Sequence, residues 1–260
     1  MNAFLIVRLL LAHILGDFLL QTKGMCERKK ALTTLRGWKY QLAHAFIYTA
    51  AVYVLVAQWG CWKLPLLIGG THFAVDVAKA LIEKRMCAAD SEGDKACKGD
   101  TNLVNRQKLL LFVLDQIFHL SALALAYFWL LDGKEMPLDF NLLEVGIYAL
   151  TYLVVLKPTA VFIQIFFSGL GGSKDKKSLP LGGMYIGYLE RILIVSFILS
   201  GWMEGIGYLL AAKSVFRFGE LRNNKELMHT EYILLGTFLS FTVAVVVGLL
   251  GHRALVELVP

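Results

Sequence analysis

A chain of 260 residues with 57% hydrophobic and 18% charged side chains, at a mean hydropathy of +0.60, lies outside the range of soluble domains. Its formal charge of +6, from 26 Lys and Arg against 20 Asp and Glu, is carried mainly by polar stretches between long apolar runs. Charge placed there reports membrane orientation and excludes a nucleic-acid-binding surface as its cause.

The first apolar segment, Asn2 to Thr22, is long enough to cross a bilayer at 1.5 Å per residue. No small-residue cleavage site follows it, so it reads as a retained helix and not a signal peptide. Lys23 to Lys39 holds six Lys and Arg and is expected in the cytoplasm. Helices are predicted over Tyr40 to Trp59 and Leu64 to Glu83, then a long polar loop from Lys84 to Arg106, also cytoplasmic. A fourth helix covers Gln107 to Leu131, and the acidic stretch Asp132 to Asp139 fits the opposite side.

The fifth helix, Asn141 to Ser168, contains Lys157-Pro158, and proline there removes a backbone bond and kinks the helix. A Gly- and Lys-rich loop, Gly169 to Gly183, precedes helices over Met184 to Met203, Ile206 to Leu221 and Thr230 to Leu250. Eight crossings with both termini on the non-cytoplasmic side put every lysine-rich loop on one face. The expected fold is therefore an all-α, polytopic transmembrane bundle of about eight helices. It falls into a His/Asp half, residues 1–131, and a Lys/Arg/Glu half, residues 141–260, integrated in one membrane domain. The four cysteines show no CxxC spacing, and three lie in loops expected in the cytoplasm, so reduced thiols are expected.

Ionisable groups inside such segments are costly and mark functional sites. His13 and Asp17, His72 and Asp76, and Asp115 and His119 are i, i+4 pairs on three helices, and His44 lies on a fourth. Counted inward from the predicted cytoplasmic ends, Asp17, His44, Asp76 and Asp115 lie about four to eight residues deep, with His13, His72 and His119 about one turn deeper. Ligands from four helices thus reach one depth. Imidazole with carboxylate suits zinc, manganese or iron, and seven ligands exceed what one tetrahedral ion needs, which predicts two divalent ions. Polar helix packing is the competing explanation for any single pair. Lys79, Gln21 and Gln116 lie beside the set, and Lys79 is placed either to bind a substrate oxygen or to extend to the interface.

The run Leu11-Ala-His-Ile-Leu-Gly-Asp-Phe-Leu-Leu-Gln21, then His44, Thr71-His-x3-Asp-x2-Lys79 and Asp115-Gln-x2-His119, resembles a bacterial integral-membrane family known only as domain of unknown function 3307. The resemblance covers about the first half of the chain and implies no activity. More distantly, the His/Asp pattern is similar to membrane-bound metal-dependent hydrolases, which implies a hydrolytic site in the bacterial inner (cytoplasmic) membrane.

The second half carries Lys157, Glu190, Arg191, Lys213, Arg217 and Glu231 in or beside apolar segments. Four cations against two carboxylates leave a surplus that an anionic ligand or the Asp-rich first half must balance. Structural ion pairing of Glu190, Lys213, Arg217 and Glu231 is the alternative explanation. The combined expectation is a metal-dependent hydrolase acting at the cytoplasmic leaflet on a phosphorylated substrate, either a lipid or a soluble nucleotide-like anion. Asp17, Asp76 and Asp115 are the candidate catalytic carboxylates, one of them a general base; Lys79 and the second-half set are the candidate substrate-binding groups. A transporter of metal ions or metal-coupled anions is the alternative from another class. Membrane lipid and an anionic phosphorylated molecule are the expected partners; no oligomeric state follows from the sequence.

Overall fold

In the computed structural model, which describes residues 3–30, 32, 34–89, 101–130, 140–168, 182–223 and 227–259, every regular element is helical. Five helical stretches are long and apolar enough to cross a membrane: Lys63–Met86, Gln107–Phe128, Asn141–Ser168, Gly182–Leu199 and Leu234–Leu258. These five stretches mark the chain as a membrane protein. The loop residues 90–100, 131–139 and 169–181, whose charges set the expected orientation, lie outside the described residues.

The chain divides into two compact units, Met1–Gly146 and Ile147–Pro260. In the first unit, the expected opening helix is interrupted. Helix α1 runs Ala3–Ile14, a π-helical turn covers Leu15–Leu19, and α2, Lys23–Lys29, leaves at 83°. The apolar run predicts one helix over Asn2 to Thr22 followed by a loop. The difference comes from the backbone: the Leu20 amide donates to the Leu15 carbonyl at 2.8 Å, an i to i+5 bond that widens the helix, and Thr22 then caps α2 by accepting from the Met25 amide at 3.3 Å.

Helices α3 (Leu35–Val56), α4 (Lys63–Ala89) and α5 (Thr101–Leu130) complete the bundle; α3 packs on α1, α2 and α4, and α4 on α5. Each presents one buried stripe at three- or four-residue spacing: Gln41, His44, Tyr48, Val52 and Val56 on α3, and Leu64, Ile68, His72, Asp76 and Ala80 on α4. The stripes are apolar at one end and polar at the other. Their apolar ends meet α1 and α5 in one cluster with Leu5, Leu9, Leu123 and Tyr127. On the opposite face of α3, Phe46 is 75% exposed while His44 is 1% exposed. Polar groups inside and apolar groups outside are what a lipid environment requires. Close approach needs small residues: a side chain at Gly69 of α4 would come within 1.8 Å of Thr49 Oγ1 on α3, and one at Gly16 within 2.5 Å of the Tyr48 ring.

Helix α6, Phe140–Ser168, carries Pro158 in its interior. In the second unit it is followed by α7 (Gly182–Leu199), α8 (Glu204–Asn223) and α9 (Leu227–Leu258). Helices α7 and α9 pack through Ile194, Ile198, Phe241 and Ala244. Helix α9 runs eight residues beyond the predicted Leu250 end, its last turns carrying an Arg253 to Glu257 pair at 2.7 Å.

Candidate metal centre

The polar ends of the four stripes in the first unit converge. His44 Nε2 lies 3.0 Å from His72 Nε2, and Asp17 Oδ1 lies 3.3 Å from the first and 3.2 Å from the second. Two ligands of a tetrahedral ion at about 2.0–2.1 Å lie about 3.3–3.4 Å apart, so this triangle is close to one face of such a polyhedron. Asp76 Oδ2 lies outside that triangle, at 3.4 Å from His44 Nε2 and 3.8 Å from His72 Nε2. Among the described residues, two groups could hold a metal ion: Asp17 with His44 and His72, and His72 with Asp76 and His119.

The turn at Leu15–Leu19 is what brings Asp17 here. It keeps the carboxylate 3.6 Å from His13 Nδ1 through Oδ2 while Oδ1 faces His44 and His72. Aromatic stacking orients the rings: Tyr48 lies flat on His72 at 3.7 Å, and His72 on His119 at 4.2 Å. His13 is one step outside, taking Gln116 Oε1 at 3.2 Å and the Tyr48 hydroxyl at 3.4 Å.

Several buried polar atoms in this group have no hydrogen-bond partner: Asp17 Oδ1, both amide atoms of Gln41, His44 Nδ1, His72 Nδ1, Asp115 Oδ1 and His119 Nε2. Each would cost about 1–3 kcal/mol if left so. The facing imidazole nitrogens leave two arrangements, because a neutral ring carries one N–H and one lone pair. In one, an Nε2–H on one ring donates to the Nε2 of the other. In the second, Nε2 of both His44 and His72 is bare, and two lone pairs oppose each other at 3.0 Å. A cation between them and Asp17 resolves that repulsion and fits the donor chemistry.

Two lysines accompany the carboxylates. Lys29, from α2, reaches Asp76 Oδ2 at 2.6 Å, and Lys79 reaches Asp115 Oδ2 at 2.8 Å. The Gln21 amide, oriented to suit its neighbours, donates to the Asp17 carbonyl at 3.1 Å and accepts from Lys29 at 2.6 Å. Lys79, Gln21 and Gln116 were expected beside the site. Lys29 was read only as loop charge, since nothing in the sequence signals the bend that returns α2 to α4. Tyr48 and Gln41 carry no charge that marks them in the sequence, although their i+4 and i−3 spacing from His44 places them on its face.

The second unit treats its charges differently. Pro158 leaves the Val154 carbonyl without its usual amide donor, and Thr159 Oγ1 donates to it at 2.8 Å. Arg191 is 4% exposed, and its Nε donates to the Val155 carbonyl at 2.5 Å while Nη1 donates to Ser240 Oγ at 2.9 Å. Lys213 pairs with Glu190. Lys157 and Glu231 are exposed. The side chain of Arg217 lies outside the described residues.

Fold and geometry thus define a helical protein with membrane-length spans and a buried His/Asp centre on four helices. Residues 5–142 match the model of the family described as protein of unknown function (DUF3307), and the chain belongs to that family. The matched region contains every residue of the centre. No curated protein and no solved structure matches the chain.

Proposed function

We propose that the protein is a membrane-embedded, metal-dependent hydrolase of a phosphorylated substrate, with its centre toward the cytoplasmic leaflet of the inner membrane. The observation that carries this reading is the triangle of Asp17, His44 and His72 with Asp76 set slightly apart and held by Lys29. Three protein ligands with a fourth, more distant position are the pattern of a catalytic site; four equal ligands would be that of a closed structural one. A divalent ion there supplies Lewis acidity and lowers the pKa of water.

The remaining roles fall to the chain's own groups. Asp76 takes a proton from the attacking water as its oxygen bonds to phosphorus, and returns it to the leaving oxygen as the ester bond breaks. Lys79 and Asp115, with His119, border the side on which the substrate lies. Charge bears on the number of ions. Asp17, Asp76 and Asp115 against Lys29 and Lys79 sum to −1 with neutral histidines, so one divalent ion brings the group to +1 and two bring it to +3. Two ions would also have to share His72. One resident zinc, manganese or iron ion is the reading that charge favours. Eight crossings with both termini on the non-cytoplasmic side complete the proposal; among the described residues five helical stretches are long and apolar enough to cross, or six if the bent pair Ala3–Leu19 and Lys23–Lys29 forms one span.

The test is phosphate release from phosphorylated lipids and nucleotides by purified protein loaded with zinc, manganese or iron, beside Asp76→Asn. Wild type is expected to release phosphate, and the variant to keep its metal and lose about 10²–10⁴-fold in rate. Metal bound with no release across the substrates would favour the transporter.

A further inference from the structure

Beside the centre, α4 and α5 leave a groove of about 340 Å³. Ala74, Ala78 and Ile82 line it from α4, and Leu111, Leu114 and Phe118 from α5; Lys79 and Asp115 are the only charged residues of its wall. Ala74 and Ala78 are exposed positions one turn apart, and their small size makes the hollow. Ile82, Leu114 and Phe118 are 44%, 48% and 56% exposed. Both helices are membrane-length spans here, Lys63–Met86 and Gln107–Phe128, so the exposed faces meet hydrocarbon and the groove opens sideways into it.

The charged part of the wall leads to the metal centre. Lys79 lies seven residues from Met86, about 10 Å inside the end of its span. An ammonium at that depth needs an anion. Asp115 supplies one oxygen to it at 2.8 Å, while the other oxygen, buried and without a hydrogen bond, lies 3.4 Å from His119 Nε2. His119 stacks on His72, a member of the ligand triangle. One continuous path therefore joins an apolar slot open to lipid with a cation and then with the His/Asp centre.

We propose that the groove between α4 and α5 holds an acyl chain of a phosphate-headed membrane lipid, with its head group drawn to Lys79. The proposal rests on the hydrolase reading for its purpose and names the substrate class of that site. A volume near the lower end of ligand pockets suits a chain better than a whole nucleotide, and beyond Lys79, already paired with Asp115, the wall offers a soluble anion only apolar surface. Apolar contacts along the slot hold the tail, and Lys79 exchanges part of its bond to Asp115 for one to phosphate. That exchange frees the Asp115 carboxylate beside His119.

The experiment uses the whole protein in phosphatidylcholine vesicles and needs no turnover. The probe is a phosphatidic acid bearing a photoreactive diazirine in one acyl chain, and its control is the phosphatidylcholine with the same chain; labelled peptides are mapped by mass spectrometry. The phosphatidic acid is expected to label residues 74–82 and 111–118 about tenfold more than the control, the scale of one charge-assisted bond. Ala78→Phe and Leu114→Trp, which fill the slot from either helix, should each remove that labelling with metal content unchanged. Lys79→Gln should make the two probes label alike. Labelling spread evenly over lipid-facing positions such as Phe46, or undiminished in the filled variants, would show ordinary surrounding lipid and overturn the proposal. So would suppression of labelling by glycerol phosphate, which would assign the head-group site to a free anion. If a filled variant loses its fold, the head-group preference of wild type against Lys79→Gln still decides. Selective labelling without phosphate release from any lipid would keep the groove and defeat the hydrolase.

Discussion

The two units bury polar groups in opposite ways. In the second, Arg191 is taken up by the Val155 carbonyl and Ser240, Thr159 by the Val154 carbonyl, Tyr152 by Ser196 and Lys213 by Glu190. Among the described residues, no buried side-chain nitrogen or oxygen of that unit lacks a partner. In the first, polar groups from α1, α3, α4 and α5 and the turn after α1 crowd together, and seven atoms stay unpartnered. Satisfied polar groups hold helices together in an apolar medium; unsatisfied ones that converge mark where something else binds. Residue type alone would not separate the two cases, since a buried arginine is as conspicuous in sequence as a buried histidine.

The comparison breaks most directly at His72. His72→Ala removes one corner of the ligand triangle and the ring between Tyr48 and His119, and bound metal is expected to fall by at least about 100-fold in affinity. Elemental analysis after dialysis against a graded chelator reads it. Unchanged metal content would leave the convergence as polar packing only.

A smaller effect is expected from Arg191→Leu. It strips the donors from Val155 and Ser240 without touching the first unit, so thermal unfolding in detergent should show a loss of about 1–3 kcal/mol with metal content intact. Loss of phosphate release without loss of stability would instead make Arg191 a substrate group, as its charge led the sequence reading to expect.

The smallest is Lys213→Gln, which opens the pair with Glu190. Partly buried and shared with other contacts, that pair is expected to contribute about 1 kcal/mol to stability and nothing to KM. A raised KM for the phosphorylated substrate would sharpen the comparison the other way, giving the second unit an anion-holding role.

The sequence by itself determined the helical class, the family and the His and Asp residues that converge. Hydropathy runs locate helices because backbone groups in lipid must bond internally, and the i, i+4 spacing of His13 and Asp17, or of Asp115 and His119, fixes which side chains share a face. Counting turns from charged ends sets Asp17, His44, Asp76 and Asp115 near one depth, with His72 about one turn deeper. Tertiary structure decided what depth and face leave open. The π-helical turn at Leu15–Leu19 and the 83° bend after it carry Lys29 back to Asp76, a contact between residues 47 positions apart that no local period encodes. Likewise, Pro158 announces a missing hydrogen bond at the Val154 carbonyl, which the neighbouring Thr159 answers, but only the tertiary structure shows that Arg191 of α7 donates to the next carbonyl, Val155. Whether a buried charge is spent on the protein or left for a ligand depends on which neighbours arrive from other helices, and those are set by helix rotation and tilt.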